Sequence, residues 1–478
     1  MWGVGSGGLG DAYSSVLVLS FIALIGHTWR RSVFGVLFLE EISVSAGIQV
    51  AIDALENGRL ALICGAGLSM DPPSSILSAQ ALADRAKEKY DATHGAERPP
   101  LAVSIEEQAA FFYAEGHLAD YYLRTLIGRH AFSAEPNAGH YAVADLLLTR
   151  CADIALSTNV DRLIETAGVR LGGHVENVIE RDRAAAAPPD TSVLFKLHGC
   201  WDLEPDNTVW CSEQLADAPL NSRIPEAAEW LTNRLLDRDL LVVGYFTHWE
   251  HLSGVLAQAL QAVHPARLVI IDPANAAWLQ EKAPQFYAIG AHAQRFCHVQ
   301  ETGGKFLDDL RKAFSRGYIR KVLYGGRQAY HDLVGAPPED VWLEPENAEN
   351  KDLWRVRRDL EGCMPNDPAI TRAPANEPLV GLTLLQLRAA GASWKRYVLE
   401  LGDAAIRVFR GFGQPLHILE AKFARATAPV LPEIIIAVGA VDLPLRPNVA
   451  RGTKEASITR GTGRRWLTRE RAVAELNL

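Results

Sequence analysis

The chain has 478 residues, 48% of them hydrophobic and 22% charged, the balance of a soluble globular protein with room for two or three domains. A formal charge of -9 excludes a chain that coats nucleic acid along its whole length and leaves only a local basic patch for such a partner. The six cysteines, Cys64, Cys151, Cys200, Cys211, Cys297 and Cys363, are scattered with no CxxC pair, which argues against structural zinc and for a reducing, cytoplasmic compartment.

Residues 1–43 read as an extension outside the compact fold. The apolar run from Val16 to Ile25 is shorter than the ~20 residues a spanning helix needs. Its positive charge, Arg30 and Arg31, follows it, whereas a signal peptide carries that charge first, so no membrane association is expected. From Gly47 to Asn57 the apolar residues Ile48, Ala51, Ile52 and Leu55 keep helical spacing, and Gly58 stops the helix. Leu60 to Cys64 follows as a short apolar strand, then Gly65-Ala66-Gly67, then a helix over Ser78 to Tyr90. Further helices are predicted over Ile105–Glu115, Leu118–Ile127 and His140–Leu148. Buried strands are predicted over Asp153–Ser157, Thr191–Leu197, Leu240–Gly244 and Arg267–Asp272, with a helix over Leu252–Val263 between the last two.

Continuous apolar strands alternating with helices specify an α/β fold, a Rossmann-like parallel sheet with helices on both faces, over residues 44–333. In such sheets the ligand lies beyond the carboxyl ends of the strands. Residues 334–352, turn-rich and acidic, are expected to be a linker to a C-terminal mixed α+β domain over 353–478, serving sensing, partner binding or oligomerisation. That domain has strand-like runs at Tyr397–Leu401, Ala405–Phe409, Leu416–Leu419 and Glu433–Val438. Its end carries Arg446, Arg451, Lys454, Arg460, Arg464, Arg465, Arg469 and Arg471, which reads as a solvated face or as a nucleic-acid patch. Platforms for single strands interleave aromatic side chains with basic ones, and only Trp466 lies in this stretch.

Three loops carry chemistry. Gly65-Ala66-Gly67 after a strand brings backbone N–H groups and a helix terminus toward a pyrophosphate with no side chain between them, or it is a plain tight turn. The full dinucleotide fingerprint would have a third glycine at Met70 and an acidic residue about twenty residues on, and no GxxxxGK[ST] loop occurs. Ser157-Thr158-Asn159-Val160-Asp161 sets a hydroxyl, an amide and a carboxylate at the next strand's end, as ligand groups or as a helix cap. Phe195-Lys196-Leu197-His198-Gly199 puts a histidine at a third strand's end, where an imidazole can act as a base near neutral pH.

In this order, with Gly244-Tyr245 after the fourth strand, the loops resemble the sirtuin family. Gly65, Ala66, Gly67 and Ser69 match its GAGxS phosphate loop, Asn159 and Asp161 its TQNxD segment, and His198 with Gly199 its catalytic His-Gly. The resemblance covers about half the chain and implies NAD as ligand, with Asn159, Asp161 and His198 as catalytic residues and Gly65, Ala66, Gly67, Ser69 and Gly244 binding the dinucleotide. Asp272, at the fifth strand's end, is placed to bond the adenosine ribose or to cap a helix.

The chain departs from sirtuin deacylases where they hold zinc. Between His198 and Gly244 it has only Cys200 and Cys211, against the four thiolates of a closed site, so no metal is expected. Thr158 replaces the glutamine of TQNxD, and the Pro-Asp-Phe-Arg segment after the phosphate loop is absent. What remains is similar to the zinc-less sirtuin-like domains of bacterial antiphage systems. That likeness implies NAD hydrolysis to nicotinamide and ADP-ribose as an abortive-infection effector. The enzyme would be an autoinhibited homo-oligomer with a partner ATPase, an Argonaute-like protein or a phage trigger as its activator. A non-catalytic NAD or ADP-ribose sensor and an ordinary Rossmann dehydrogenase are the competing readings.

Overall fold

Strands covered on both faces must be apolar at every position, and the central strands of the computed structural model are buried from end to end. The structure describes residues 39–94, 99–187, 191–244, 256–260, 262–282, 284, 287, 290, 293–363, 378–424, 433–443 and 464–478. The apolar run at Val16–Ile25, Tyr245, and Arg446, Arg451, Lys454 and Arg460 lie outside them.

In chain order the first part holds β1 (Glu40–Glu41), α1 (Val44–Glu56), β2 (Leu60–Cys64), the one-turn α2 (Gly67–Met70), α3 (Ala79–His94), α4 (Ile105–Ala114), a π-helical segment (Leu118–Gly128) and α5 (Ala138–Leu148). It continues with β3 (Ile154–Ser157), α6 (Leu163–Arg170), β4 (Glu176–Val178), α7 (Arg181–Ala186), β5 (Val193–Lys196), α8 (Leu220–Arg234) and β6 (Asp239–Val243). Then come β7 (Arg267–Asp272), α9 (Ala276–Lys282), β8 (Arg295–Gln300) and α10 (Gly303–Val334).

These eight strands form one parallel sheet in the order β1-β8-β7-β6-β2-β3-β5-β4. The chain winds outward from β2 through β3 to β5 and β4, then returns to the other side of β2 with β6. Winding therefore reverses at β2, and such a reversal opens a crevice beyond the carboxyl ends of the strands. On one face Leu62, Ala155, Leu194 and Val243 pack with α1, α5 and the first half of α10. On the other, Phe195 stacks on Trp230 of α8 with ring centroids 5.2 Å apart.

The C-terminal part holds α11 (Leu353–Glu361), α12 (Pro378–Ala389), β9 (Ser393–Lys395), β10 (Val398–Leu401), β11 (Ala404–Arg410), α13 (Leu416–Ala424), β12 (Glu433–Val438), β13 (Arg464–Thr468) and α14 (Arg469–Leu476). Its five strands form a separate mixed sheet, β13-β12-β11-β10-β9, parallel from β11 to β13 and antiparallel from β9 to β11. The expected strand at Leu416–Leu419 is instead the start of α13. Leu416, Leu419 and Phe423 recur three and four residues apart, so one helical face packs on Phe409, Ile435 and Trp466.

Helix α10 gives Phe306, Leu307, Leu310 and Phe314 to the first core and Tyr318, Ile319, Val322 and Leu323 to the second. Beside it Arg357 of α11 is completely buried. It pairs with Asp145 of α5, donates to both carboxylate oxygens of Glu361 at 3.0 and 2.9 Å, and reaches Ser315 Oγ at 3.2 Å.

At the described end of the basic stretch Arg465, Arg469 and Arg471 have partners within the chain, although Arg465 and Arg471 are themselves exposed. Trp466 is buried against Phe409 and Phe423, so its ring is not available to stack on a base. Arg469 donates to Thr383 and Gln386, Arg465 pairs with Glu475, and Arg471 pairs with Asp442 and Glu475.

Candidate functional site

The three loops picked out in the sequence leave the carboxyl ends of β2, β3 and β5 and meet at one cleft of about 600 Å³, within the range of small-molecule sites. Ser69, Asn159, Asp161 and His198 supply its polar wall, and Ile76, Leu82, Ile105, Phe132, Val209 and Trp210 much of its apolar one.

The glycine loop is clasped to the turn after β6. Gly65 N–H donates to Val243 O at 3.0 Å and Gly67 N–H to Gly244 O at 2.7 Å. Gly244 has φ +59°, and a Cβ there would lie 2.4 Å from Leu68 N. Glycine is required because the two backbones touch and the conformation is left-handed. The N–H groups of Leu68 and Ser69 return to Gly65 O and Ala66 O. Of the loop's amides, the exposed Ala66 N–H is therefore the one best placed for an external anion. The helix directly after the loop is the single turn α2, and the helix expected over Ser78 to Tyr90 is α3, Ala79–His94.

Below the loop a hydrogen-bond hub fixes the polar wall. It starts in the cap of α5, where Asn137 Oδ1 accepts from Gly139 and His140 N–H and His140 Nδ1 accepts from Asn137 N–H at 3.2 Å. An Nδ1 that accepts leaves the proton of a neutral ring on Nε2. His140 is neutral because burial pushes it down to about 4, with Lys196 adding to that and Asp161 opposing it. Its Nε2–H therefore donates to Ser69 Oγ, 3.1 Å away. Ser69 Oγ in turn donates to Asp161 Oδ2 at 2.8 Å and accepts Asn159 Nδ2–H at 3.0 Å.

The orientation of Asn159 follows. Ser69 has one proton, given to Asp161, and both its lone pairs are taken, so Asn159 must present its NH2 group to it. Asn159 Oδ1 is then left buried at the cleft with no hydrogen-bond partner among the described residues. The same pattern excludes a serine nucleophile, since His140 offers Ser69 a proton instead of a lone pair.

Asp161 Oδ1 accepts Leu163 N–H at 3.0 Å. One carboxylate oxygen thus makes the turn into α6, the other is held by Ser69, and the residue lines the cleft. Its carbonyl accepts from the ammonium of Lys196, which also reaches Glu165 Oε1 at 3.3 Å. Burial alone would lower the Lys196 pKa, and Glu165 and Asp161 more than offset it, holding the ammonium above its ordinary range.

His198 Nδ1 lies 3.0 Å from Thr158 O. A carbonyl only accepts, so Nδ1 carries the proton and Nε2 is the basic nitrogen. Gly199, at φ +88°, turns the chain so that Val209 N–H bonds His198 O at 2.9 Å. Asp272 stands apart from the lining residues. It is buried, which raises its pKa, and its Oδ1 accepts Ala274 N–H at 2.8 Å as a turn cap.

Cys200 and Cys211 are buried free thiols, and burial pushes that of Cys211 up to about 12. Among the described residues no three His, Cys, Asp or Glu side chains converge as metal ligands, and no helix is long and apolar enough to cross a membrane. Sequence reasoning gave Asn137, His140 and Lys196 no role in the site. The signal for the first two was the spacing Asn-x-x-His at the start of an apolar helix, a capping box with histidine in place of glutamate.

Residues 153–289 match the family model of the SIR2-like domain. Among solved structures, a Sir2 homologue complexed with NAD aligns over 58% of this chain and 98% of its own at 14% identity and a TM-score of 0.32. A Sir2 enzyme studied for mechanism and regulation aligns over 56% and 97% at 16% identity and a TM-score of 0.35. Among curated proteins none matches the sequence. The stretch that carries Asn159, Asp161, His198, Gly244 and Asp272 is therefore similar to a SIR2-like domain, over less than a third of the chain.

Proposed function

We propose that the protein is an NAD hydrolase that cleaves the nicotinamide–ribose bond to give nicotinamide and ADP-ribose. The observation that carries this reading is the fixed, unpartnered Asn159 Oδ1 in the wall that also holds His198 and the Asp161 carboxylate. Cleavage of a ribosyl–pyridinium bond passes through an oxocarbenium-like transition state, so the site needs negative charge near the ribose and an oriented water. Asp161 supplies the charge or orients ribose hydroxyls. A water that donates to Asn159 Oδ1 and His198 Nε2 is aimed by two acceptors. Its oxygen bonds the ribose carbon as the C–N bond breaks, the bond's electron pair leaves with neutral nicotinamide, and the water's proton passes to His198.

In this reading Gly65, Ala66, Gly67, Ser69 and Gly244 form the pyrophosphate loop, with Ala66 N–H the donor, and the second oxygen of Asp272 takes an adenosine ribose hydroxyl. Only Cys200 and Cys211 lie between His198 and Gly244, which favours hydrolysis over zinc-supported deacylation. No step needs a metal: NAD is the substrate. Unregulated hydrolysis would harm the host, so the C-terminal part is proposed to hold an autoinhibited homo-oligomer until a phage component, a partner ATPase or an Argonaute-like protein releases it.

The test is cellular NAD with and without phage infection, for the wild type and for His198→Ala. A fall in NAD on infection in the wild type alone supports the proposal. Constant NAD in both, with phage protection retained, would instead favour a non-catalytic dinucleotide sensor.

A further inference from the structure

Ser69 Oγ makes three hydrogen bonds, the most a hydroxyl can make with one proton and two lone pairs. Two of its partners, Asn159 and Asp161, face the cleft directly. The third, His140, is fully buried and does not line it. If His140 gave no proton, Ser69 would have a lone pair to spare, and its hydroxyl would no longer be bound to donate to Asp161. Asn159 could then flip, with Oδ1 accepting from Ser69 and its NH2 group turned to the cleft, so an acceptor would become a donor where the proposed water sits. The tautomer that prevents this is set by Asn137 N–H at the cap of α5.

We propose that His140 is a positioning residue for the cleft: acting through Ser69, it fixes the orientation of the Asn159 amide and keeps Oδ1 turned to the ligand. The inference rests on the reading that the cleft binds NAD. His140 touches no ligand and transfers no proton; its Nε2–H completes the set that leaves Asn159 one way to face.

The test uses the full chain with His140→Ala and His140→Gln. The glutamine amide nitrogen can replace Nε2–H toward Ser69, and its oxygen can accept Asn137 N–H in the cap, as glutamine does at this position of a capping box. Three quantities are compared at a temperature where all three proteins are folded: kcat for NAD, affinity for ADP-ribose by calorimetry, and melting temperature. The expected result is a kcat at least tenfold lower in His140→Ala and within about threefold of wild type in His140→Gln, with the larger fall in melting temperature in His140→Ala. A merely structural residue would lower the melting temperature of His140→Ala and leave kcat and affinity at wild-type values in both variants, which overturns the proposal.

If the wild type neither binds nor consumes NAD, the reading of the cleft has failed. The positioning claim is then judged from the imidazole nitrogen spectrum, with His140 identified by its loss in the glutamine variant. A neutral Nε2–H ring at pH 6 upholds the hub. An Nδ1–H ring or an imidazolium at that pH overturns it.

Discussion

The hub makes a pH-dependent stability that one histidine should carry. Burial holds His140 near 4, against 6.5 for a free imidazole, so between those values the unfolded chain takes up a proton that the folded chain refuses. The contribution is complete above pH 6.5 and is lost as pH falls toward 4. Each tenfold change in proton affinity is worth about 1.4 kcal/mol, which makes the full loss about 3 kcal/mol, with about 2.5 kcal/mol gone by pH 4.5. Many carboxylates titrate over the same range, so the readout is the difference between the wild type and His140→Gln, each unfolded by urea at pH 7, 6, 5 and 4.5. Relative to the wild type, the variant should gain about 2.5 kcal/mol between pH 7 and pH 4.5, whatever its starting stability. Parallel curves would refute the claim that His140 is held neutral in the folded protein.

Other outcomes follow from the same contacts. Ser69→Ala removes the common partner of His140, Asn159 and Asp161 and at about 1–3 kcal/mol for each orphaned buried group should cost several kcal/mol in denaturant unfolding. ADP-ribose affinity should fall with it. Gly244→Ala drives a Cβ to 2.4 Å from Leu68 N at φ +59°. The two glycine turns must then part, and calorimetry should show weaker dinucleotide binding together with a stability loss of about 1–3 kcal/mol. Arg357→Met leaves Asp145 and Glu361 buried without their cation and should destabilise by about 3–5 kcal/mol in the same unfolding assay.

Much of the fold was legible because burial on two faces leaves a continuous apolar run. Strands β2, β7 and β12 fall on the residues the sequence indicated. Strand β8 was not marked, since Arg295 and His298 break its apolar character; His298 is buried in the sheet and bonds Asp272 O. Helix α13 was misread because four residues of an apolar face look alike in either periodicity, and only Phe423 extends the spacing to a helical one. The cleft residues Asn159, Asp161 and His198 were legible because each follows a strand and so must reach the sheet's carboxyl edge. His140 was not. Seen locally it is a polar residue in an apolar helix, and its importance lies in Ser69, 71 positions away in the chain. In the basic C-terminal stretch the solvated face read from the sequence holds for Arg465 and Arg471, which are exposed and pair with Glu475, close by in the chain, and, for Arg471, with Asp442.

Asn159 and His198 are proposed to direct water onto NAD. The most direct measurement is the products formed from NAD by purified, activated protein and by its Asn159→Ala and His198→Ala variants. The wild type should form equal amounts of nicotinamide and ADP-ribose, and each variant should be slowed at least a hundredfold while still binding ADP-ribose. Turnover in both variants at the wild-type rate, or NAD bound by the activated wild type and left intact, would contradict that role.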